Sequence, residues 1–343
     1  MEWIRGETIG YGTFSTVSLA TPSNNVSGEF PPLMAVKSAD SYGAASLENE
    51  KSVLDKLGDN CNEIVRCFGE DRTVENGEEM HNLFLEYASR GSLESYLKKL
   101  SGEGLSESTV RRHTGSVLRG LRHIHGNGFA HCDLKLGNIL LFGDGAVKIA
   151  DFGLAKRIGE VTALNEGVQI RGTPLYMAPE SVNDNEYGSE GDVWALGCAV
   201  VEMFSGKTAW SLKEGSNFMS LLIRIGVGVE LPMIPEELSE QGKDFLSKCF
   251  VKDPKKRWTA EMLLHHPFVA VDLDHDGLVE EDFVVKLKTE EVSTSPRCPF
   301  EFPDWVSVSS GSQTIDSPEE RVTSLVTDLI PDWSVTNSWV TVR

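Results

Sequence analysis

Residues 131–138 of this chain read His131-Cys132-Asp133-Leu134-Lys135-Leu136-Gly137-Asn138. A carboxylate, an ammonium two residues later and an amide three residues beyond that follow a helical stretch ending near Asn127 and precede the apolar run Ile139-Leu140-Leu141. Those flanks make the stretch a loop that feeds a strand. Moving a phosphoryl group calls for this set: a base for the incoming hydroxyl, a cation near the moving charge and an oxygen ligand for a divalent metal. A second carboxylate, in Asp151-Phe152-Gly153, follows the apolar run 146–150 and offers a further metal ligand.

The stretch before this loop supplies what a nucleotide would need. Residues 7–20 read as two strands around a glycine turn, Ile9-Gly10-Tyr11-Gly12-Thr13-Phe14-Ser15-Thr16-Val17, where Gly10 and Gly12 let the backbone approach phosphates. Ser15 stands where a third glycine would loosen the turn further. Residues 21–32 are rich in Pro, Ser, Asn and Gly and read as a surface loop. Met34-Ala35-Val36-Lys37 is an apolar strand ending in a lysine. Residues 46–57 have helical spacing, with Leu47, Leu54 and Leu57 on one face and Gly58 as the stop. Glu50 is the candidate partner for Lys37, and Glu48 is the alternative. Residues 83–88 form a buried strand running into a polar link. Farther on, Ser106 caps a long helix that turns Val110, Val117, Leu121 and Ile124 inward.

The octapeptide resembles the catalytic loop of protein kinases, with Cys132 where most kinases carry arginine. The resemblance extends through Gly172-Thr173-Pro174-Leu175-Tyr176-Met177-Ala178-Pro179-Glu180, through Asp192 and Arg257, to His266-Pro267-Phe268. It implies an α+β, two-lobed kinase domain over residues 3–269. A small antiparallel sheet lobe covers about 3–87 and a mainly helical lobe about 88–269, with a flexible tail at 270–343. It implies ATP and Mg²⁺ as cofactors. Asp133 would be the base and Lys135 its cationic neighbour, with Asn138 and Asp151 on the metal. Lys37, fixed by Glu50, would meet the α- and β-phosphates, and Ile9, Gly10, Gly12, Val17, Ala35 and Leu140 would surround the nucleotide. Leu85 would be the gatekeeper, with Glu86 and Ala88 bonding adenine through their backbone. Asp192 would hold the loop's backbone, and Arg257 would form a buried pair with Glu180. Lys135 with the Gly-Thr-Pro segment implies serine/threonine substrates.

Within that family the Met-Glu-Trp start, Ala130-His131-Cys132-Asp133 and the Lys-Leu-Gly-Asn turn resemble the small plant MEKK-like mitogen-activated protein kinase kinase kinases. MAP kinase kinases would be the substrates; other protein substrates, or a pseudokinase scaffold, are the alternatives. A scaffold usually lacks one of Lys37, Asp133 and Asp151, and all three stand here.

Charge narrows the partners. Lys+Arg 32 against Asp+Glu 52 gives −20, which opposes nucleic acid or an anionic membrane and favours a basic segment on another protein. Six scattered cysteines without a CxxC pair, and Glu2, Arg5 and Glu7 where a secretory segment would be apolar, point to a cytoplasmic or nuclear chain. The run Val193 to Phe204 is too short to span a bilayer. Residues 272–279 imitate the start of a calcium loop, but its twelfth position is Phe283, so an acidic linker is expected. In the tail, Ser317-Pro318-Glu319-Glu320 caps a short helix expected over 318–330, whose Val322, Leu325, Val326 and Leu329 form an apolar stripe suited to docking. Ser295-Pro296 and Ser317-Pro318 are candidate sites for proline-directed phosphorylation.

Cys132 carries a consequence for control. An arginine there would collect a phosphate on the activation segment through a fork of donors, which a thiol lacks. Thr162 is the only hydroxyl residue between Gly153 and Gly172, with Lys156, Arg157 and Arg171 as the nearby cations. Phosphatase-treated wild type and Thr162→Ala should therefore keep their activity on one protein substrate. A tenfold fall in both, about 1.4 kcal/mol of barrier, would show a phosphate-gated segment.

Overall fold

The computed structural model describes residues 2–270, except 13–14, 24–29, 76, 161–170 and 212–217. The calcium-like stretch, Thr162, the proline-directed serines and the capped tail segment lie outside the described residues.

Five antiparallel strands open the fold: β1 (Trp3–Tyr11), β2 (Thr16–Pro22), β3 (Met34–Ala39), β4 (Cys67–Glu75) and β5 (Glu78–Leu85), in the order β1-β2-β3-β5-β4. The register sets Val17 beside Lys37 and Ala35 beside Leu85, so one face of the sheet collects the nucleotide-facing positions. Its other face carries a small core of Ala20, Met34, Val36 and Phe84, covered by Trp3, Phe30 and Phe68. Helix α1 (Ala44–Leu57) lies against the sheet through Leu47, Val53, Leu54 and Leu57 and stops at Gly58, as its spacing predicts. It begins two residues ahead of Ser46, on a turn where the Tyr42 and Gly43 amides donate to the Asp40 carboxylate.

The second lobe is mainly helical. It comprises α2 (Leu93–Lys99), α3 (Glu107–Gly126), α4 (Pro179–Asn183), α5 (Ser189–Ser205), α6 (Phe218–Gly226), α7 (Glu240–Cys249), α8 (Ala260–Leu264) and α9 (Pro267–Ala270). Short strands β6 (Phe129–Ala130) and β9 (Lys156–Arg157) pair with each other, as do β7 (Ile139–Leu141) and β8 (Val147–Ile149). In α3 the stripe Val110, Val117, Leu121 and Ile124 is buried, and Ser106 accepts the Thr109 amide as an N-cap. Burying each such side chain contributes about 1.5–3 kcal/mol. Most of α5 from Asp192 to Met203 is buried, so the apolar run is a central helix packed on α3 and α7. It begins at Ser189, so Asp192 lies in its first turn.

The link from α1 to β4 leaves the first lobe and fastens to the second. Val65 donates to the Ile149 carbonyl (2.9 Å) and Ile149 to that of Glu63 (2.8 Å). Glu63 pairs with Arg119 at 2.6 Å, and His123 Nε2 donates to the carbonyl of Leu57, the last residue of α1, at 2.9 Å.

Glu180 and Arg257 form the expected fork, with Nη1–Oε1 at 2.6 Å and Nη2–Oε2 at 3.0 Å, and the Arg257 side chain is wholly buried. Arg257 also donates to the carbonyls of Val251 and Glu190 and lies over Trp194. Glu180→Ala would strand this guanidinium. The expected cost is about 3–5 kcal/mol, read as a melting temperature lower by about 10 °C or more. An unchanged melting temperature would contradict a structural role for the pair.

Candidate active site

The loop after β6 is held by one carboxylate. Asp192, in the first turn of α5 and 2 % exposed, accepts the His131 amide on Oδ2 (2.8 Å) and the Cys132 amide on Oδ1 (2.9 Å). His125 Nε2 donates to Oδ2 at 2.8 Å. Burial alone would raise the Asp192 pKa, but the hydrogen bond and charge of His125 outweigh it and hold the carboxyl low. These bonds support a backbone that a side chain resists: Cys132 has φ 65°, in the left-handed region. Gly172 rests on the same corner, where a Cβ would come 2.5 Å from the Cys132 carbonyl oxygen.

The bent loop delivers Asp133. Its Oδ1 accepts the Thr173 hydroxyl at 2.8 Å, and Oδ2 accepts Lys135 Nζ at 2.9 Å and Asn138 Nδ2 at 3.1 Å. Lys135 donates to Thr173 as well, at 2.9 Å. Burial works to strip the Lys135 proton, but the neighbouring Asp133 carboxylate keeps its pKa above the ordinary lysine value.

Across the cleft Lys37 meets two carboxylates, Glu50 at 2.6 Å and Asp151 at 2.8 Å. This settles the partner of Lys37: Glu50 is fully buried, whereas Glu48 bonds Arg72 at the surface. Glu50 Oε1 also accepts the Phe152 amide at 3.2 Å. Burial pulls the Lys37 pKa down, but Asp151 and Glu50 together hold it above its usual value. Burial raises that of Glu50 despite Lys37. Burial also opposes ionisation of Asp151, yet the ammonium of Lys37 brings its carboxyl down to about 2. That carboxyl still opens to the cleft, 46 % exposed, on a residue with φ 66°. The Ala150 amide donates to the Asn138 carbonyl (2.9 Å), which seats the two candidate metal ligands side by side, Asn138 just before β7 and Asp151 just after β8.

The side of the cleft expected to receive the base is apolar. Ala35 and Leu85 are buried, and Ile9, Val17 and Leu140 pack partly exposed against the same core. The Glu86 amide is committed to the Arg66 carbonyl at 2.9 Å, so a ligand can meet that residue's backbone only at its carbonyl. Gly12 donates to the Ser15 carbonyl at 2.7 Å and folds the glycine turn, while Gly10 pairs with Val17.

Several contacts had no sequence signal. The Glu86 side chain holds Lys148 of β8 with two bonds of 2.7 Å, His125 supports Asp192, and Asn49 of α1 bonds the turn after Asp151. Each reads in the sequence as an ordinary polar residue on an element surface.

Cys132 is an inert thiol here. Burial pushes its pKa far up, and Sγ donates to the Ala130 carbonyl at 3.5 Å. Lys156 and Arg171 lie near enough to act on it electrostatically, whereas Arg157 is over the Phe129 ring.

Residues 3–269 match the family model described as "Protein kinase domain". The chain is 75 % identical over 346 residues to mitogen-activated protein kinase kinase kinase 20 of Arabidopsis thaliana, covering 100 % of both. It is 41 % identical to mitogen-activated protein kinase kinase kinase 18 of the same plant, over 78 % of each chain. With mitogen-activated protein kinase kinase kinase 17 the identity is 37 %, over 80 % of this chain and 71 % of the relative.

The ion pairs give the cleft a pH signature. Asp151 ionises at lower pH when folded, so its contribution is whole above its ordinary 3.8 and is lost as the pH falls through about 2. Lys37 contributes fully below its ordinary 10.5 and loses this as the pH rises from there through its raised value. Asp151→Asn should therefore melt below wild type at neutral pH, with the gap closing between pH 4 and pH 2. A pH-independent gap in melting temperature would refute the pairing as its source.

Proposed function

Because this chain belongs to the protein kinase family, as a serine/threonine kinase among the mitogen-activated protein kinase kinase kinases, we propose that it phosphorylates MAP kinase kinases on serine and threonine. The observation that carries this reading is Asp133, whose carboxylate is held by Thr173, Lys135 and Asn138 together. The names of the relatives support the substrate class.

In this reading Asp133 accepts the proton of the substrate hydroxyl, and Lys135, beside it, offsets charge on the transferred group. Thr173 keeps both in register. Lys37 orients the α- and β-phosphates, and its bond to Glu50 sets how far it reaches. The Gly10 and Gly12 backbone lies along the phosphates. Ile9, Val17, Ala35 and Leu140 would enclose the adenine, with the Glu86 carbonyl and the Ala88 amide as its backbone partners. Use of ATP, generally with Mg²⁺, comes with the family. Asn138 and Asp151 suit that cation: both offer hard oxygen, and the Asn138 amide nitrogen is already committed to Asp133. Bound there, Mg²⁺ would neutralise charge on the phosphate oxygens. The five described cysteines are all unpaired, which supports a cytoplasmic or nuclear residence.

The test is transfer of labelled phosphate from ATP to a panel of catalytically dead MAP kinase kinases. Wild type should label at least one member on serine or threonine. Asp133→Asn should lower the rate at least ~100-fold and leave the melting temperature within a few degrees of wild type. A mutant rate equal to wild type, or wild type that labels none of the panel, would overturn the assignment.

A further inference from the structure

Helix α1 grips the segment after β8 through more than Glu50. The residue before it, Asn49, places Nδ2 3.2 Å from the Phe152 carbonyl oxygen, 3.1 Å from that of Gly153 and 3.0 Å from that of Ala155. Three carbonyl oxygens around one atom decide which end of the amide faces them, because an oxygen there would repel all three. The amide has two hydrogens, so one is shared between acceptors. Since Glu50 takes the Phe152 amide, α1 holds both backbone polar groups of Phe152. The Ala155 amide also donates to the Phe152 carbonyl at 3.0 Å, closing the turn that Asn49 spans. Ser46 presses on the same turn: a Cβ on Gly153 would come 2.3 Å from its hydroxyl oxygen.

We infer that Asn49 is a positioning residue, a latch that ties α1 to the first turn of the activation segment and so keeps Asp151 at the phosphate site. The inference rests on the kinase reading and deepens its regulation. Swinging α1 away would break the Lys37–Glu50 pair, the Glu50–Phe152 bond and the Asn49 fan together, so the three act as one unit. The latch works in the chain's own residues, with no added phosphate. Cys132 makes that necessary, since its thiol cannot recruit a phosphate to order the segment from the other side.

The experiment compares full-length wild type with Asn49→Gln, Asn49→Ala and Asn49→Asp. It reads kcat and the KM for ATP on one protein substrate, and amide exchange of residues 152–157. The expected order of kcat is wild type, Gln, Ala, Asp, with Asp at least tenfold below wild type. Asp has the shape of Asn but turns oxygen toward three carbonyls. The KM for ATP should stay within about threefold, because the proposed adenine contacts at Glu86 and Ala88 are untouched, and exchange should speed up in the same order. A role in packing alone predicts that Asp behaves as wild type. That outcome, or a loss confined to KM, or exchange unaltered in every variant, overturns the latch. If wild type transfers no phosphate, the kinase reading fails by itself, and the order of exchange rates still decides whether the latch exists.

Discussion

A carboxylate removed from water must be given donors, and Asp192 is given three: the amides of His131 and Cys132 and the ring of His125. The bargain runs both ways. Without those bonds the loop would have no reason to hold Cys132 at a positive φ, and without that bend Asp133 would point elsewhere. Because Asp192 belongs to α5, a deeply buried helix, the geometry of the cleft is inherited from the core of the helical lobe. Thr173, Lys135 and Asn138 then adjust a carboxylate that α5 has already placed.

The sequence carried much of this, for a physical reason. Groups that act on phosphate are few in kind and must recur at spacings set by strand and turn, so Lys37, Asp133, Asn138 and Asp151 stand out in the chain itself. The structure brings those four to one cleft. The helix stripes were equally plain, since α1 and α3 each bury one face. What stayed hidden were bonds between polar residues distant in the chain. Asn49 and Phe152 are 103 residues apart, and Glu86 and Lys148 are 62 apart. An asparagine on a half-buried helix flank, or a glutamate after a strand, looks like any solvated residue until the tertiary fold supplies its partner. Helix starts shifted for a related reason: backbone turns, such as that at Asp40, extend a helix beyond its apolar pattern.

Cys132 and Asn49 together describe a division of labour. The Cys132 thiol bonds its own stretch of chain, at the Ala130 carbonyl, whereas the Asn49 amide has three carbonyls of the activation segment's first turn in reach. Order at the start of that segment therefore comes from α1 rather than from its own chemistry. The same helix that holds Lys37 through Glu50 also accepts the Phe152 amide, so Lys37 and the segment's first turn share one support.

The fastening of the α1–β4 link to the second lobe gives this helix the mechanics of a lever. Its fulcrum is the C-terminal end, where His123 takes the Leu57 carbonyl and residues 63–65 are stitched to Ile149. Its 14 residues make an arm of about 21 Å. Turning that arm by about 10° would carry the free end roughly 4 Å, more than the length of a hydrogen bond. Asn49 and Glu50 engage the arm near its middle, about 10–12 Å from the fulcrum, where the same turn would carry them roughly 2 Å. That travel is enough to take a hydrogen bond of about 3 Å beyond its reach.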